Sequence, residues 1–210
     1  MRVYVARHGE TTWNLAGRYQ GRRESGLTGL GVRQGVALAE AFTRIEPRIG
    51  RIIASPLLRC SATAKFVADR LNIPLETDDR LLEIAHGTWE GRLREEIAAD
   101  DPERFRAWKE RPGKVGFENG ETLENVRSRW HDFAAAFDAR VPSLVVTHDA
   151  VVRVAILAAA SRPLDDLWDV HAENAGFAEF EVTDHHWKLV REDVNDHLAG
   201  LRAAIQDQAL

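Results

Sequence analysis

Four side chains suited to handling a phosphoryl group occur in this 210-residue chain, each shortly after an apolar run. Arg7-His8 follows Val3-Tyr4-Val5-Ala6, Arg59 comes soon after Arg51–Ala54 and Ser55-Pro56, and His148 follows Ser143–Thr147. Imidazole is a competent nucleophile toward phosphorus, and the planar forks of arginine match the non-bridging oxygens of a phosphoryl group. Two guanidinium groups neutralise a phosphate without help, so no metal and no other cofactor is expected. Other chemistries fail on spacing. A thiol-based phosphate loop on Cys60, the one cysteine, would need an arginine six residues on, where Phe66 stands; Cys60 reads instead as a small buried residue beside the phosphate loop. The adjacent His185-His186 offers no metal pair, because consecutive strand residues point to opposite faces, and both read as surface residues.

For these groups to meet, the apolar runs must be strands of one sheet with their C-terminal ends together, the edge where open α/β sheets bind ligands. Short β-branched runs do alternate with amphipathic helical stretches, which predicts a three-layer αβα fold around a mostly parallel sheet. Strands are expected over residues 2–6, 51–54, 75–77, 143–147, 178–182 and 187–191. Helices are expected over 30–44, with Val32, Val36, Leu38, Ala39 and Phe42 at helical spacing, and over 57–71, 123–139 and 150–160. Ser55 suits the cap of the second helix and Pro56 its first turn. Residues 82–121 form a long segment with short helices expected at 93–99 and 102–110, a small helical cap of the kind that carries a lid or a site.

The bulk properties are those of one ordinary globule spanning residues 1–210: 44% of residues are hydrophobic and 29% charged, and no repeat is present. A net charge of -5 argues against a nucleic-acid groove. No apolar run approaches the roughly 20 residues of a membrane span, and the N-terminus lacks the zones of a secretory signal, so the expected location is cytoplasmic. Trp108, Trp130 and Trp168 read as core or interface residues. Leu157, Val170 and Trp168 suit either the core or the face of a homodimer, and Arg22-Arg23 either a cationic mouth or an exposed loop.

Taken in order, the motifs resemble the histidine phosphatase superfamily, also called phosphoglycerate mutase-like. The match runs through Arg7-His8-Gly9-Glu10-Thr11, Trp13-Asn14, Gly17-Arg18-Tyr19-Gln20-Gly21, Leu27-Thr28 with Gly31, Ser55-Pro56-Leu57-Leu58-Arg59, Thr63-Ala64, Leu82-Glu83-Ile84 with Gly87 and Trp89-Glu90-Gly91, Gly120-Glu121 and Val146-Thr147-His148. The resemblance implies that His8 attacks phosphorus and becomes a phosphohistidine. Arg7, Arg59 and His148 would hold the non-bridging oxygens, and Asn14 would add a donor. Gln20, Gly21 and Ala150 join the expected substrate-binding set. Glu83 would be the acid that protonates the leaving oxygen and then the base that activates water, ahead of Glu90 and Glu10 as candidates. An attacking imidazole must be neutral, and neighbouring guanidinium groups favour that form.

A narrower resemblance is to the metal-independent phosphoserine phosphatases. It rests on the Gly17 to Gly21 run, Glu83-Ile84-Ala85-His86-Gly87-Thr88-Trp89, the segment from Pro102 through Phe105, Trp108, Pro112, Lys114-Val115 and Phe117 to Gly120-Glu121, and His197-Leu198. His86, three residues after the acid, would reach a substrate carboxylate, with His197 joining it; the alternative is that both are incidental. Many relatives have glycine where this chain has Asp149, which reads either as the cap of the following helix or as a site for a substrate ammonium group. Glu95-Glu96 and Asp100-Asp101 stand where the mutases carry a longer basic insertion, which favours release of phosphate to water. The expectation is a phosphomonoesterase for a small phosphorylated metabolite, best matched by L-phosphoserine. Alternatives are a cofactor-dependent phosphoglycerate mutase, a broad-specificity or sugar-phosphate phosphatase, and a phosphate-binding protein without turnover.

Overall fold

The computed structural model describes residues 1–202. Its strands are β1 (Arg2–Arg7), β2 (Arg51–Ala54), β3 (Leu75–Thr77), β4 (Ser143–Thr147), β5 (Phe177–Thr183) and β6 (His186–Val194). Its α-helices are α1 (Thr12–Ala16), α2 (Gly29–Phe42), α3 (Leu58–Leu71), α4 (Arg94–Asp100), α5 (Pro102–Glu110), α6 (Leu123–Ala136) and α7 (Asp149–Ala159). The sheet runs β3-β2-β4-β1-β5-β6, with β3, β2, β4 and β1 parallel and β5 antiparallel to β1. The α/β class, the mostly parallel sheet and a small helical cap after Glu83, formed by α4 and α5, are as expected.

Side-chain alternation divides the interior into two layers. Tyr4, Ala6, Ile52, Ala54, Leu144 and Val146 pack with Leu38, Phe42, Ala64 and Val67 of α2 and α3. Val3, Val5, Ile53 and Val145 face the other way, onto α6, α7 and the cap residues Trp89, Trp108 and Phe117. Buried on both faces, β1 and β4 read as continuous apolar runs rather than alternating ones. Edge strand β6 carries Lys188, Arg191 and Glu192 on exposed positions, which discourages pairing with another chain.

The register places the site. Arg7 pairs with Thr147 and Ala54 with Val146, so the tips of β1, β2 and β4 end level. Chain leaving β1 continues to α2 on one face, while chain leaving β4 enters α7 on the other. Neighbouring strands whose connections part in this way open a crevice between their carboxyl ends.

Three local expectations need correction, and one open alternative is decided. Val32 and Val36 are 41% and 46% exposed, and the buried face of α2 is Gly31, Gln34, Gly35, Leu38, Ala39 and Phe42. A polar residue and two glycines hide this face from an apolar count. Gln34 is buried because its amide accepts from Glu10 N (2.8 Å) and donates to Leu201 O (2.9 Å). At Gly35 a Cβ would come within 2.5 Å of the Phe66 ring, so glycine is what lets α3 pack this close. Ser55 does not cap α3, whose N-cap is Leu57 without a side-chain bond. Leu157 and Val170 are core residues and offer no face to a partner. Asp184 and His185 both take left-handed conformations, φ 47° and 62°, in the two-residue turn of the β5–β6 hairpin, so the exposed His185-His186 pair straddles a turn.

Candidate active site

His8 is held from every side. Its backbone N–H donates to Thr147 O (3.0 Å), and its carbonyl accepts from Ala175 N (3.2 Å) and Asn174 Nδ2 (3.1 Å). Gly9 is required next to it, since a Cβ there would lie 2.6 Å from Gly31 O. The ring Nδ1 is 2.8 Å from Gly9 O. A carbonyl accepts, so the neutral ring carries its proton on Nδ1 and leaves the lone pair on Nε2. Burial, then Arg59 and Arg7, hold the imidazole well below its ordinary pKa, which keeps it neutral and nucleophilic.

Arg7, His8, Asn14, Gln20, Gly21, Arg59, Glu83, His86 and Asp149 line one pocket, whose free space of about 10 Å³ suits a single water. Arg59 donates from Nη2 to Gly21 O (2.7 Å) and from Nη1 to Arg23 O (2.9 Å), while its buried Nε has no hydrogen-bond partner. Arg7 donates to Ala172 O (2.8 Å) and pairs with Asp149 (3.0 Å). Asn14 forms a capping box with Thr11 at the start of α1, a helix absent from the sequence reading; the box commits the Asn14 carbonyl and leaves its NH2 to donate. Gln20 accepts from Ser25 Oγ (2.7 Å). Gly21 has φ 51° and lies so close to Glu90 that a Cβ would meet its carboxylate.

Of the three candidate acids, Glu83 alone lines the pocket. Glu90 accepts from the backbone N–H of His86 and Arg22, and Glu10 from Thr28 Oγ1. Burial pushes the Glu83 carboxyl up to about 7; Asp149 adds to the rise, and Arg59 and Arg129 oppose it. A carboxyl with a pKa near neutrality is matched to moving a proton in both directions. His86 is fully enclosed by Tyr19, Trp108 and Phe117, each edge-on to its ring, and neither ring nitrogen has a hydrogen-bond partner. Burial lowers its pKa to about 3, so it is neutral.

His148 lies beside the pocket lining, edge-on to His8 at 5.4 Å. Its Nε2 is 2.8 Å from Ser55 Oγ, which explains why Ser55 is not spent on a helix cap. Cys60 is buried as expected, its Sγ 3.3 Å from the same nitrogen, and its thiol is pushed far above the ordinary range by burial. Ala150 is in the first turn of α7 with its side chain in the core. His197 is not brought to the pocket: its ring stacks on Phe177 and its Nε2 meets Ala175 O at 2.8 Å, behind the segment that pins His8. Asp149 neither caps α7 nor presents a free carboxylate. The N-cap is His148, and the Asp149 oxygens go to Arg7 and to Arg153, one turn along the helix. Arg153 belongs to no motif, although its i+4 spacing from Asp149 is a visible signal. Glu121, part of the Gly120-Glu121 motif, has a structural role that its motif does not reveal. Its carboxylate accepts from Ala85 N (2.9 Å) and pairs with Arg22 (2.9 Å) and Arg129 (3.3 Å), bracing the loop that carries Glu83 and His86.

The model of the histidine phosphatase superfamily (branch 1) matches residues 3–195. Phosphoserine phosphatase 1 of Hydrogenobacter thermophilus is 32% identical over 201 residues, covering 94% of this chain and 94% of that protein. Adenosylcobalamin/alpha-ribazole phosphatase of Salmonella typhimurium is 29% identical over 185 residues, 87% of this chain and 91% of that protein. Among solved structures, Bacillus stearothermophilus YhfR superposes with a TM-score of 0.88 at 29% identity, covering 94% of this chain and 98% of that one. With its strand tips, arginines and buried carboxyl arranged as described, the chain belongs to the histidine phosphatase superfamily, branch 1, and is a phosphatase.

Proposed function

We propose that the protein is a metal-independent phosphomonoesterase that acts through a phosphohistidine on His8, with L-phosphoserine as its best-matched substrate. The observation that carries the chemistry is the Nδ1–Gly9 bond of His8, which aims an unprotonated Nε2 into a pocket holding two guanidinium groups and a carboxyl poised near pH 7. In the first step Nε2 bonds to phosphorus as the ester P–O bond breaks, and Glu83 gives its proton to the leaving alkoxide. Arg7 and Arg59 stabilise the charge on the transferring oxygens. In the second step the Glu83 carboxylate takes a proton from water, whose oxygen attacks phosphorus and breaks the P–N bond. His8 is then free, and phosphate leaves.

The choice of phosphoserine rests on His86. A buried histidine with two unpartnered nitrogens in the lining of this pocket is an exception to the rule that buried polar groups are satisfied. A neutral imidazole offers one N–H, which suits a substrate carboxylate. The phosphoserine phosphatase relative points the same way. The test is a panel of phosphoserine, phosphothreonine, 3-phosphoglycerate and sugar phosphates assayed with EDTA present. Phosphoserine should give the highest kcat/KM, undiminished by EDTA. A flat profile would remove the substrate assignment, and loss of activity in EDTA the metal-free mechanism.

A further inference from the structure

Asp149 sets a carboxylate against a phosphate pocket, a placement that needs a physical reason. Its side chain is only 6% exposed. One oxygen lies 3.0 Å from Arg7 Nη1, and the other pairs with Arg153 Nε. Arg153 in turn donates from Nη1 to the carbonyls of Leu167 (3.1 Å) and Val170. Its guanidinium stands 5.4 Å from the Trp168 ring, over which Lys109 of α5 also sits at 4.3 Å. Trp168 is fixed by its own Nε1 bond to Trp108 O (2.7 Å). A chain of contacts therefore runs from the pocket to the helical cap.

We propose that Asp149 is a positioning residue: it holds the Arg7 guanidinium at the phosphate by tying it through Arg153 to the Leu164–Asp169 turn and the cap. The inference rests on the phosphatase reading above. Arg7 ends a strand, and its long side chain has several rotamers. The Ala172 carbonyl restrains Nη1 from one side and Asp149 from another, so the fork is in place before substrate arrives. Two guanidinium groups on one carboxylate also explain why the anion is tolerated: the trio keeps a net positive charge toward the phosphoryl group. Both Asp149 oxygens being so engaged speaks against a substrate ammonium site.

A second consequence follows from charge. Glu83 feels the charges of Asp149 from α7, Arg59 from α3 and Arg129 from α6, and shares the pocket lining with neutral His8; Asp149 favours the proton on Glu83, while the arginines and the N–H of Ile84, which donates to its carboxylate (2.9 Å), oppose it. Removing the Asp149 charge lowers the pKa of the acid, so the alkaline limb of activity moves to lower pH. A residue that merely stabilised the fold would not shift that limb.

Compared at a pH below the alkaline limb, Asp149→Asn should lower kcat/KM by on the order of 10- to 100-fold, by the same factor on phosphoserine and on p-nitrophenyl phosphate, with the alkaline limb for phosphoserine displaced to lower pH. Asp149→Glu should restore the limb. Loss confined to phosphoserine would overturn the proposal in favour of an ammonium site, and values within twofold of wild type on both esters would overturn it outright. Arginine side-chain NMR supplies a readout independent of turnover: Arg7 rotation about its guanidinium should be hindered in the wild type and released in Asp149→Asn, and continued hindrance would overturn the proposal. A wild type inactive on both esters would defeat the phosphatase reading, with the NMR result still deciding this one. Should Asp149→Asn fail to fold, Arg153→Gln removes only the outer anchor; it should release Arg7 in the same spectrum, and an unchanged Arg7 would overturn the proposal.

Discussion

Two arginine-lined concavities lie at opposite edges of the sheet, and the larger of the two is not the candidate site. At the N-terminal ends of β2 and β3, a cavity of about 440 Å³ is lined by Phe42, Thr43, Arg48, Ile49, Arg70, Leu71 and Ile73. Its Arg48 and Arg70 side chains are 80% and 53% exposed and pair with Glu46 (3.7 Å) and Glu40 (2.8 Å). The pocket at the opposite sheet edge has about 10 Å³ of free space, yet it holds buried Arg7 and Arg59, a carboxyl near neutrality and a histidine whose ring nitrogens have no hydrogen-bond partner. Solvated, paired arginines cost the fold little and do little. Buried ones are desolvated, so their field acts at full strength on whatever lies between them. Volume locates empty space; desolvated charge and unsatisfied polar atoms locate chemistry.

Substitutions should separate the two regions by size of effect. His8→Ala removes the proposed nucleophile and should reduce turnover of p-nitrophenyl phosphate by about 10⁴-fold or more, with loss of the acid-labile phosphoenzyme on rapid quench; an unchanged rate would overturn the mechanism. Glu83→Gln should cost roughly 10²- to 10³-fold on phosphoserine, and less on p-nitrophenyl phosphate, whose leaving group needs no proton. In the wild type the alkaline limb of the first step should fall near pH 7, where Glu83 loses its proton, and this variant should lack that limb. His86→Ala should raise KM for phosphoserine by about tenfold, the worth of one hydrogen bond to a charged group, without a comparable rise for esters lacking a carboxylate.

A smaller effect concerns stability. His86 has an ordinary pKa of 6.5 when unfolded and about 3 when folded. Between those values the unfolded chain binds the extra proton, so stability present above pH 6.5 is lost as pH falls toward 3. His86→Phe should lessen this acid sensitivity in thermal melts across that window; an unaltered slope would show that the ring is not held neutral. At the other sheet edge, Arg48→Ala and Arg70→Ala should leave kcat/KM within about twofold of wild type, and a larger loss would break the contrast between the two regions.

Much of the fold was legible because its signals are local. β2, β3 and β4 fall on their expected residues, and the cap helices α4 and α5 lie within a residue or two of theirs. Burial on both faces makes a central strand a continuous apolar run, and proline at the first turn marks α5. What stayed hidden depended on partners distant in the chain. The buried face of α2 is polar at Gln34 because Glu10 and Leu201 satisfy it, and Ser55 serves His148 rather than its own helix. The site divides in the same way. Arg7, His8, Arg59 and Glu83 stand at motif positions, whereas His197 carries the motif and lies outside the pocket.

By itself the sequence determined the reactive groups and their placement at strand tips, since residue type and apolar period are properties of the local chain. Tertiary structure alone decided their states. Which nitrogen of His8 keeps its lone pair depends on the Gly9 carbonyl within a buried site, and the acidity of Glu83 depends on burial set against charges from three helices. The role of Asp149 depends on Arg7 and Arg153 reaching it from two elements. Protonation, tautomer and orientation are set by the field and the hydrogen bonds of groups brought together through folding, and no run of neighbouring residues contains them.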